Sequence, residues 1–446
     1  MKRNNLEKIV SEATGEVSKI RADQADINAS YGEGFEVGFR DDKLKMIKSD
    51  QTTTLSLRVI KDGKSGVSAT NDPLPSEIKR IAKEAVELSF YNEKSDIILP
   101  QRAKEFSNPQ LFDKDLTNVS EDDFIDEGKE IISLIKEDEP KMIVNYLGFS
   151  NACGESCFAN SNGVVSYEKH SLTSFSVEIS EVSEGDFFQL FSQQTSRKND
   201  IPHRAMVIDL LKKVKWGRKV IKIDSGKYPV IFVPQSAAVL MDYVVSAASG
   251  RFVNEKTSKF TGKLGERILD RRFTLIDDPT TDWGDLSYHL DDEGVAGFKK
   301  YLVKNGVVET FYYDLKQAAI AGTDSSGNGE RGSFVQANPA VSNINIAGGD
   351  KPYAKLLKTI KRGLLVYFLL GVGENNPFNG DFQLGVNLGY LVENGEIAGR
   401  IKNVALAGNA FDLLRNNLMW LSSETERWGS FTSPYICVDN VVVTSK

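Results

Sequence analysis

The sequence predicts an α+β fold in several domains, with helix-flanked antiparallel sheets in the N-terminal half and a strand-rich, mixed domain at the C-terminal end. Three observations predict it. Apolar residues recur at helical spacing in a few separate stretches. Between them lie alternating, β-branched runs, several joined by Asn-Gly or Asp-Gly, the dipeptides that tight hairpins demand. From about residue 225 onward strand signals dominate and helices are few.

The elements follow in order. Leu6, Ile9, Val10, Ala13, Val17 and Ile20 set an amphipathic helix over residues 4–21. Thr52 to Ile60 alternates, and Asp62-Gly63 turns the chain into a further run. Pro75-Ser76 opens a second helix carrying Ile78, Ile81, Ala82, Ala85 and Leu88. Residues 93–118 are polar, contain Pro100 and Pro109, and read as a connector. Ser120 begins a helix, with Asp123 three positions on to place a carboxylate against the free N–H groups of the first turn. Residues 141–197 read as an antiparallel meander, with a turn at Asn162-Gly163 and alternation from Phe175 to Val182. Residues 202–216 are helical. Asn305-Gly306 and Asn394-Gly395 each sit between short strand signals, and Tyr435 to Val443 is a final strand.

This gives an N-terminal α+β domain over 1–92, then a connector, helix and meander over 93–217 that can merge with it. The C-terminal strand-rich domain covers 218–446. That division fits about 150 residues per domain. Hydrophobic residues make up 40% and charged residues 26% of the 446, enough to build sizeable cores. A net charge of −7 argues against phosphate-driven nucleic-acid binding. The basic cluster Lys212-Lys213-Val214-Lys215-Trp216 reads as a solvated helix end. No apolar run reaches the roughly 18 residues of a membrane span; the longest is Gly363 to Val372. Met1-Lys2-Arg3-Asn4-Asn5 leads into Leu6-Glu7-Lys8 without a signal-peptide apolar region, so the expected compartment is the cytoplasm. Three cysteines fit a reduced environment.

Chemistry-bearing residues are sparse. There are three histidines and three cysteines, none at metal-ligand spacing. Cys153-x-x-x-Cys157 lacks further ligands nearby and reads as two thiols on a hairpin. No G-x-S-x-G elbow pairs with a histidine. Gly371-Val372-Gly373 and Gly327-Asn328-Gly329-Glu330-Arg331-Gly332 lack the remaining features of nucleotide loops, and read as turns or close backbone approaches. Asp277-Asp278 and Asp291-Asp292-Glu293-Gly294 suit acid–base work, a hard cation, or the acidic rim of a loop. Ser236 to Gly250 is an apolar helix, expected to be buried, with Asp242, Ser246 and Ser249 in a polar stripe at i, i+4 and i+7. A buried carboxylate there needs partners or a proton. The stripe either lines a cavity or belongs to a hydrogen-bonded interior helix.

Taken together these residues resemble the TldD/PmbA family, once described as modulators of DNA gyrase and now regarded as metallopeptidases. The densest match is Asp291-Asp292-Glu293-Gly294-Val295, Leu302-Val303-Lys304-Asn305-Gly306-Val307 and Ser326-Gly327-Asn328-Gly329-Glu330-Arg331. Leu391 to Ile397, Leu406-Ala407-Gly408-Asn409 and Asn160-Ser161-Asn162-Gly163 also fit, so the likeness spans nearly the whole chain. In the zinc-bearing branch a helix carries His-Glu-x-x-x-His, and a cysteine near the C-terminus completes the site. Here those positions are Asp242, Tyr243 and Ala247, and the cysteine position falls near Trp428-Gly429. The chain therefore resembles the PmbA (TldE) branch.

The resemblance implies a metal-free, non-catalytic subunit of a heteromeric peptidase acting on unfolded or small peptides, with zinc held only by a TldD-like partner. A strand edge of the C-terminal domain would suit an extended peptide. On this reading the cleft-lining candidates are Asp242, Tyr243, Ser246, Asp292, Glu293 and Trp428, with no catalytic residue and no metal ligand assigned. Other readings are a homodimer that binds a peptide or small ligand without cleaving it, and a DNA gyrase modulator, which the acidic charge disfavours. A metal site joining Asp242 to Asp291–Glu293 would favour a hard cation over zinc.

Overall fold

Alternation along the first long strands decides how the N-terminal half packs. A computed structural model describes residues 3–20, 22–101, 106–332, 336–372, 376 and 378–445. Met1, Lys2, Arg21 and Gly373, on which parts of the sequence reading fall, lie outside the described residues. The first sheet comprises β1 (Gln24–Arg40), β2 (Lys43–Lys61), β3 (Lys64–Thr70), β4 (Ile143–Asn160), β5 (Val165–Ser183) and β6 (Asp186–Ser196). Their order is β3-β2-β1-β4-β5-β6, antiparallel throughout. Because β1 pairs with β4, the segments before and after the connector share one sheet. Cys153 and Cys157 are free thiols on β4, the first strand of the β4–β5 hairpin, paired with Ser171 and Tyr167 across it, as expected.

Residues 27, 29, 55, 57 and 59 all point to one face, where they bury against α1 (Arg3–Lys19) and α2 (Pro75–Ser89). The helices supply Leu6, Ile9, Val10, Ala13 and Ile78, Ile81, Ala82, Ala85, the apolar stripes their spacing foretold. Further along the sheet, Val37 and Phe39 of β1, Phe149 of β4 and Phe175 of β5 pack with α3 (Glu121–Asp138) and α4 (His203–Gly217). A capping box starts α3: Asp123 N donates to Ser120 Oγ at 3.3 Å and Ser120 N to Asp123 Oδ2 at 2.8 Å. The opposite face of the sheet is polar at its α1/α2 end. Asp26, Asn28 and Ser30 of β1 lie there in register with Arg58, Ser56 and Thr54 of β2. That face is roofed by segments from the C-terminal half.

The C-terminal half holds β7 (Val220–Ile221), β8 (Gly226–Phe232), β9 (Leu275–Asp277), β10 (Lys300–Lys304), β11 (Val307–Val308), β12 (Gly329–Glu330) and β13 (Asn338–Pro339). It continues with β14 (Ile344–Ile346), β15 (Arg362–Leu370), β16 (Asp381–Glu393), β17 (Glu396–Ile401), β18 (Val404–Asn409), β19 (Leu418–Trp428) and β20 (Phe431–Ser445). The large sheet runs β11-β10-β9-β14-β20-β8-β15-β16-β17-β7, with β18 between β16 and β20 and β19 on β20. It is mixed: β8–β15, β14–β20 and β7–β17 are parallel. Val230, Phe232, Leu364, Val366, Ile436 and Val438 bury toward α5 (Pro234–Ala247) on one face. Ile231, Leu365 and Cys437 bury on the other, beside α4 and the first sheet. Burial of both faces explains the unbroken apolar run in β15. Asn305-Gly306 and Asn394-Gly395 make the predicted hairpins, with φ of 50° and 78°, and 51° and 78°. Both ends of that strand order are two-residue strands, which give an extended peptide few main-chain partners. Among the described residues no helix is long and apolar enough to cross a membrane.

Candidate functional site

The six candidate residues fall in three places. Asp242, Tyr243 and Ser246 are on α5, Asp292 and Glu293 are under the polar face of the first sheet, and Trp428 is at the end of β19. Trp428 packs edge-on to Phe191 at 5.9 Å, and Phe191 packs edge-on to Phe368 at 4.6 Å, an aromatic seam between the two sheets.

Helix α5 is apolar because Ala237, Leu240, Met241, Val244 and Ala247 bury against the C-terminal sheet. Asp242 sits on the opposite side with its surface exposed rather than enclosed in the core. Its surroundings still desolvate the carboxyl enough to hold it above the usual range, so the expectation of a buried carboxylate is met only in part. The polar stripe does not continue either. The helix ends at Ala247, and Ser249 is buried where it starts the next short helix, α6 (Gly250–Asn254). Ser246 is half-buried. Tyr243 is turned into the core, and burial together with the charges of Asp242 and Asp381 holds its hydroxyl above the usual range.

Asp291, Asp292 and Glu293 form no solvated rim. Asp291 Oδ1 accepts the N–H groups of Glu293 and Val295 at 3.0 and 2.8 Å, and its Oδ2 accepts that of Gly329 at 2.8 Å. Asp292 Oδ2 accepts Arg331 N–H at 2.8 Å. Glu293 Oε1 pairs with Arg58 Nη1 at 2.5 Å, and its Oε2 accepts Leu315 N–H at 2.7 Å. Arg58 also donates from Nε to Asp26 Oδ2 at 2.7 Å, and Asp26 Oδ1 accepts from Arg331 Nη1 at 2.6 Å. Asp26, Arg58, Glu293 and Arg331 are thus a neutral, buried set of four charges that ties β1 and β2 to the C-terminal half. Gly329 is glycine because a Cβ there would lie 2.5 Å from Glu293 Oε2. The close approach read from the glycine-rich block is therefore made to a carboxylate. Asn28, Ser56 and Arg58 escaped the sequence reading, although the polar alternation Asp26-x-Asn28-x-Ser30 against Thr54-x-Ser56-x-Arg58 is visible in it.

Beside this network Asp314 caps α7 (Leu315–Ala321), accepting Gln317 N–H at 2.7 Å. Burial, then the charge of Glu293, pushes its carboxyl up to about 7 from an ordinary 3.8. The folded chain therefore binds this proton more tightly than the unfolded chain. That relation costs stability as pH rises from about 4 to about 7, and the full cost is present above that window. Asp314→Asn keeps a capping side chain and removes the charge. It is expected to be more stable than the wild type at pH 8 by about 1–3 kcal/mol, and equal to it near pH 4, in urea titrations at the two pH values.

The histidines lie elsewhere. His203 Nδ1 meets Glu127 Oε1 at 2.6 Å, and His289 N–H donates to Glu168 Oε1 at 3.0 Å. Burial, helped by Arg197, lowers His170 to about 4. Burial raises the Cys437 thiol, which sits inside the C-terminal sheet. Among the described residues no three His, Cys, Asp or Glu side chains form a group that could hold a metal ion, the Asp242 and Asp291–Glu293 combination included. A lone exposed carboxylate on α5 does not fit zinc, which takes four ligands drawn mainly from histidine and cysteine.

Two family models match the sequence. The PmbA/TldA metallopeptidase C-terminal domain covers residues 225–445, and PmbA/TldA metallopeptidase domain 1 covers residues 25–89. The chain belongs to the TldD/PmbA family. A metalloprotease of Methanocaldococcus jannaschii is 28% identical over 425 residues, 92% of this chain and 91% of that protein. Metalloprotease PmbA of Escherichia coli O157:H7 is 26% identical over 423 residues, 93% of this chain and 90% of its own length. The crystal structure of TldE from Thermococcus kodakarensis superposes with a TM-score of 0.88 at 24% identity, covering 98% of this chain and 99% of that one, and shows the same fold. Within the TldD/PmbA fold, the matched C-terminal domain contains α5 and the acidic and glycine-rich blocks.

Proposed function

We propose that this chain is a metal-free subunit that takes part in peptide breakdown beside a zinc-bearing TldD-like subunit, and that it does not cleave peptides alone. One observation carries the reading: on α5 the positions of the zinc-branch residues hold Asp242, Tyr243 and Ala247. Tyr243 and Ala247 are turned into the core and Asp242 faces out alone. The M. jannaschii and E. coli relatives are described as metalloproteases, which supports a peptide as the substrate class. In a pair of subunits the zinc would supply the activated water from the partner. This chain would supply a wall, with exposed Asp242 and half-buried Ser246 on its surface. The test is affinity purification of the tagged chain from its native cells. A co-eluting chain bearing His-Glu-x-x-x-His, and cleavage of short unstructured peptides by the pair, is the expected result. A chain that purifies only with itself contradicts the reading and favours the homodimeric binding protein.

A further inference from the structure

We propose that the open edge of β2 takes up a free, extended peptide as an added antiparallel strand, with an acidic C-terminal end of that peptide seated at the basic tip of the β1–β2 hairpin. The edge belongs to the first sheet and α5 to the C-terminal half. Binding to it is read on this chain alone, so its failure leaves the subunit role proposed above standing.

Strand lengths leave the edge open. β2 pairs with β1 from Lys43 to Ile60, but β3 has only 7 residues and covers β2 from Leu55 to Lys61. Among the described residues no strand or bridge pairs the outer side of residues 43–54. Every second residue there turns its N–H and C=O outward, over about 40 Å of strand. Residues 43–52 are exposed, apart from half-buried Met46. The two-residue strands that end the C-terminal strand order offer nothing comparable.

Proteins ordinarily close such edges with lysines and bulges. Here both devices gather at the tip. Gly38 pairs with Met46 and Phe39 with Leu44, so Lys45 is the extra residue of a bulge. Beyond it, residues 46–54 keep a regular register with β1. Lys48 is the one lysine in that stretch, and Asp50 meets it at 3.5 Å. Ile47, 52% exposed, stands opposite buried Val37 and carries the apolar core out toward the edge. Main-chain pairing there asks only that a peptide be extended.

The tip selects the charge. Arg40 and Lys45 line a cavity of about 380 Å³ with Gly38, Asp41, Met46 and Tyr146, and Lys43 stands opposite Arg40. The turn carries two acids, but Asp42 is already held by Lys136 Nζ at 2.6 Å and by the N–H of Val144 at 2.9 Å. Asp41 alone faces three bases, a surplus of positive charge that seats a carboxylate. Direction follows from the sheet, which is antiparallel throughout. An antiparallel strand laid on β2 ends where β2 begins, so its α-carboxylate arrives at the tip. Farther from the tip, Ser49 Oγ donates to Glu121 Oε1 of α3 at 3.2 Å, and a further acid there would be repelled. The acidic residues of the peptide therefore belong at its C-terminal end.

Fluorescence anisotropy with the full chain tests the proposal. The probe is an N-terminally labelled peptide about as long as residues 46–54, alternating valine and serine and ending in Glu-Glu with a free carboxylate. It is expected to bind. The same peptide ending in Gln-Gln amide, the reversed sequence, and the form N-methylated throughout are each expected to bind about tenfold more weakly or worse. Arg40→Gln combined with Lys45→Gln is expected to weaken the acidic peptide about tenfold and to leave the Gln-Gln amide unchanged, a split that unfolding would not give. The proposal is overturned if no peptide binds at millimolar concentration, or if the N-methylated or reversed form binds as well as the parent. Equal binding of the acidic peptide by the double variant overturns it too. So does a dimer of this chain that Ile47→Glu turns into a monomer, because a second copy then holds the edge. The peptide comparisons are made on the wild type, so they do not depend on a variant folding.

Discussion

Arg58→Met is expected to lower the stability of the chain by about 3–5 kcal/mol, because it strands buried carboxylates that the guanidinium now neutralises. Asp26 would keep Arg331, but Glu293 would keep only the Leu315 N–H. Burying a charge without a partner is what makes such losses large, whereas the intact set adds little over an apolar packing of the same volume. A second substitution separates these effects. Arg58→Met combined with Glu293→Gln removes the stranded charge, and should recover about half of the loss, a coupling that independent sites would not show. Urea titration of the wild type and both variants reads it directly. Equal losses in the single and double variants would mean that the network is not what joins β1 and β2 to the C-terminal half.

Asp277→Ala is the second large effect, also about 3–5 kcal/mol. Asp277 Oδ1 accepts Ser342 N–H and Oγ–H at 2.7 and 2.6 Å. Its Oδ2 accepts Asn328 Nδ2 at 2.7 Å and Lys300 Nζ at 3.1 Å. Removing it leaves the Lys300 ammonium buried without a counter-charge. It also removes one of the two acceptors of Asn328 Nδ2, which keeps Ala340 O, so the glycine-rich block loses that tie to β9. Asp277→Asn keeps an acceptor for Ser342 but not the charge, and is expected to lie between the wild type and the alanine variant in the same titration. An alanine variant within about 1 kcal/mol of the wild type would contradict this account, since that is the range of ordinary surface changes.

Much of the fold was legible because its signals are local. Asn305-Gly306 and Asn394-Gly395 must adopt positive φ to turn a two-residue hairpin, and the structure gives them those angles. Ser120 and Asp123 cap α3 through atoms three residues apart, and the stripes of α1 and α2 carry their own period. The site was less legible because its contacts are not local. Arg58 meets Glu293 across 235 residues, and Arg331 meets Asp26 across 305. Nothing in the neighbourhood of either residue announces its partner. The alternation in β1 and β2 did announce a polar face, but such a face ordinarily meets water, and here it meets a roof.

Helix α5 failed in a different way. Its mean character is apolar, and that correctly placed it against a sheet, yet the same average hid the one position that faces out. Asp242 read as a buried acid because its neighbours are apolar, although 241 and 243 point elsewhere on a helix. The family resemblance located the helix, and the packing decided what each position could do. Ligand scarcity in the sequence and the outward turn of Asp242 in the structure bear on the same claim from two directions.

That claim is that the chain does not hold the zinc or perform the cleavage. Metal content and peptide hydrolysis, measured on the same sample of the purified chain, test it most directly. The account predicts zinc far below one ion per chain, and hydrolysis of short unstructured peptides only after a zinc-bearing TldD-like chain is added. One zinc per chain, with hydrolysis by the chain alone that a chelator abolishes, would contradict it.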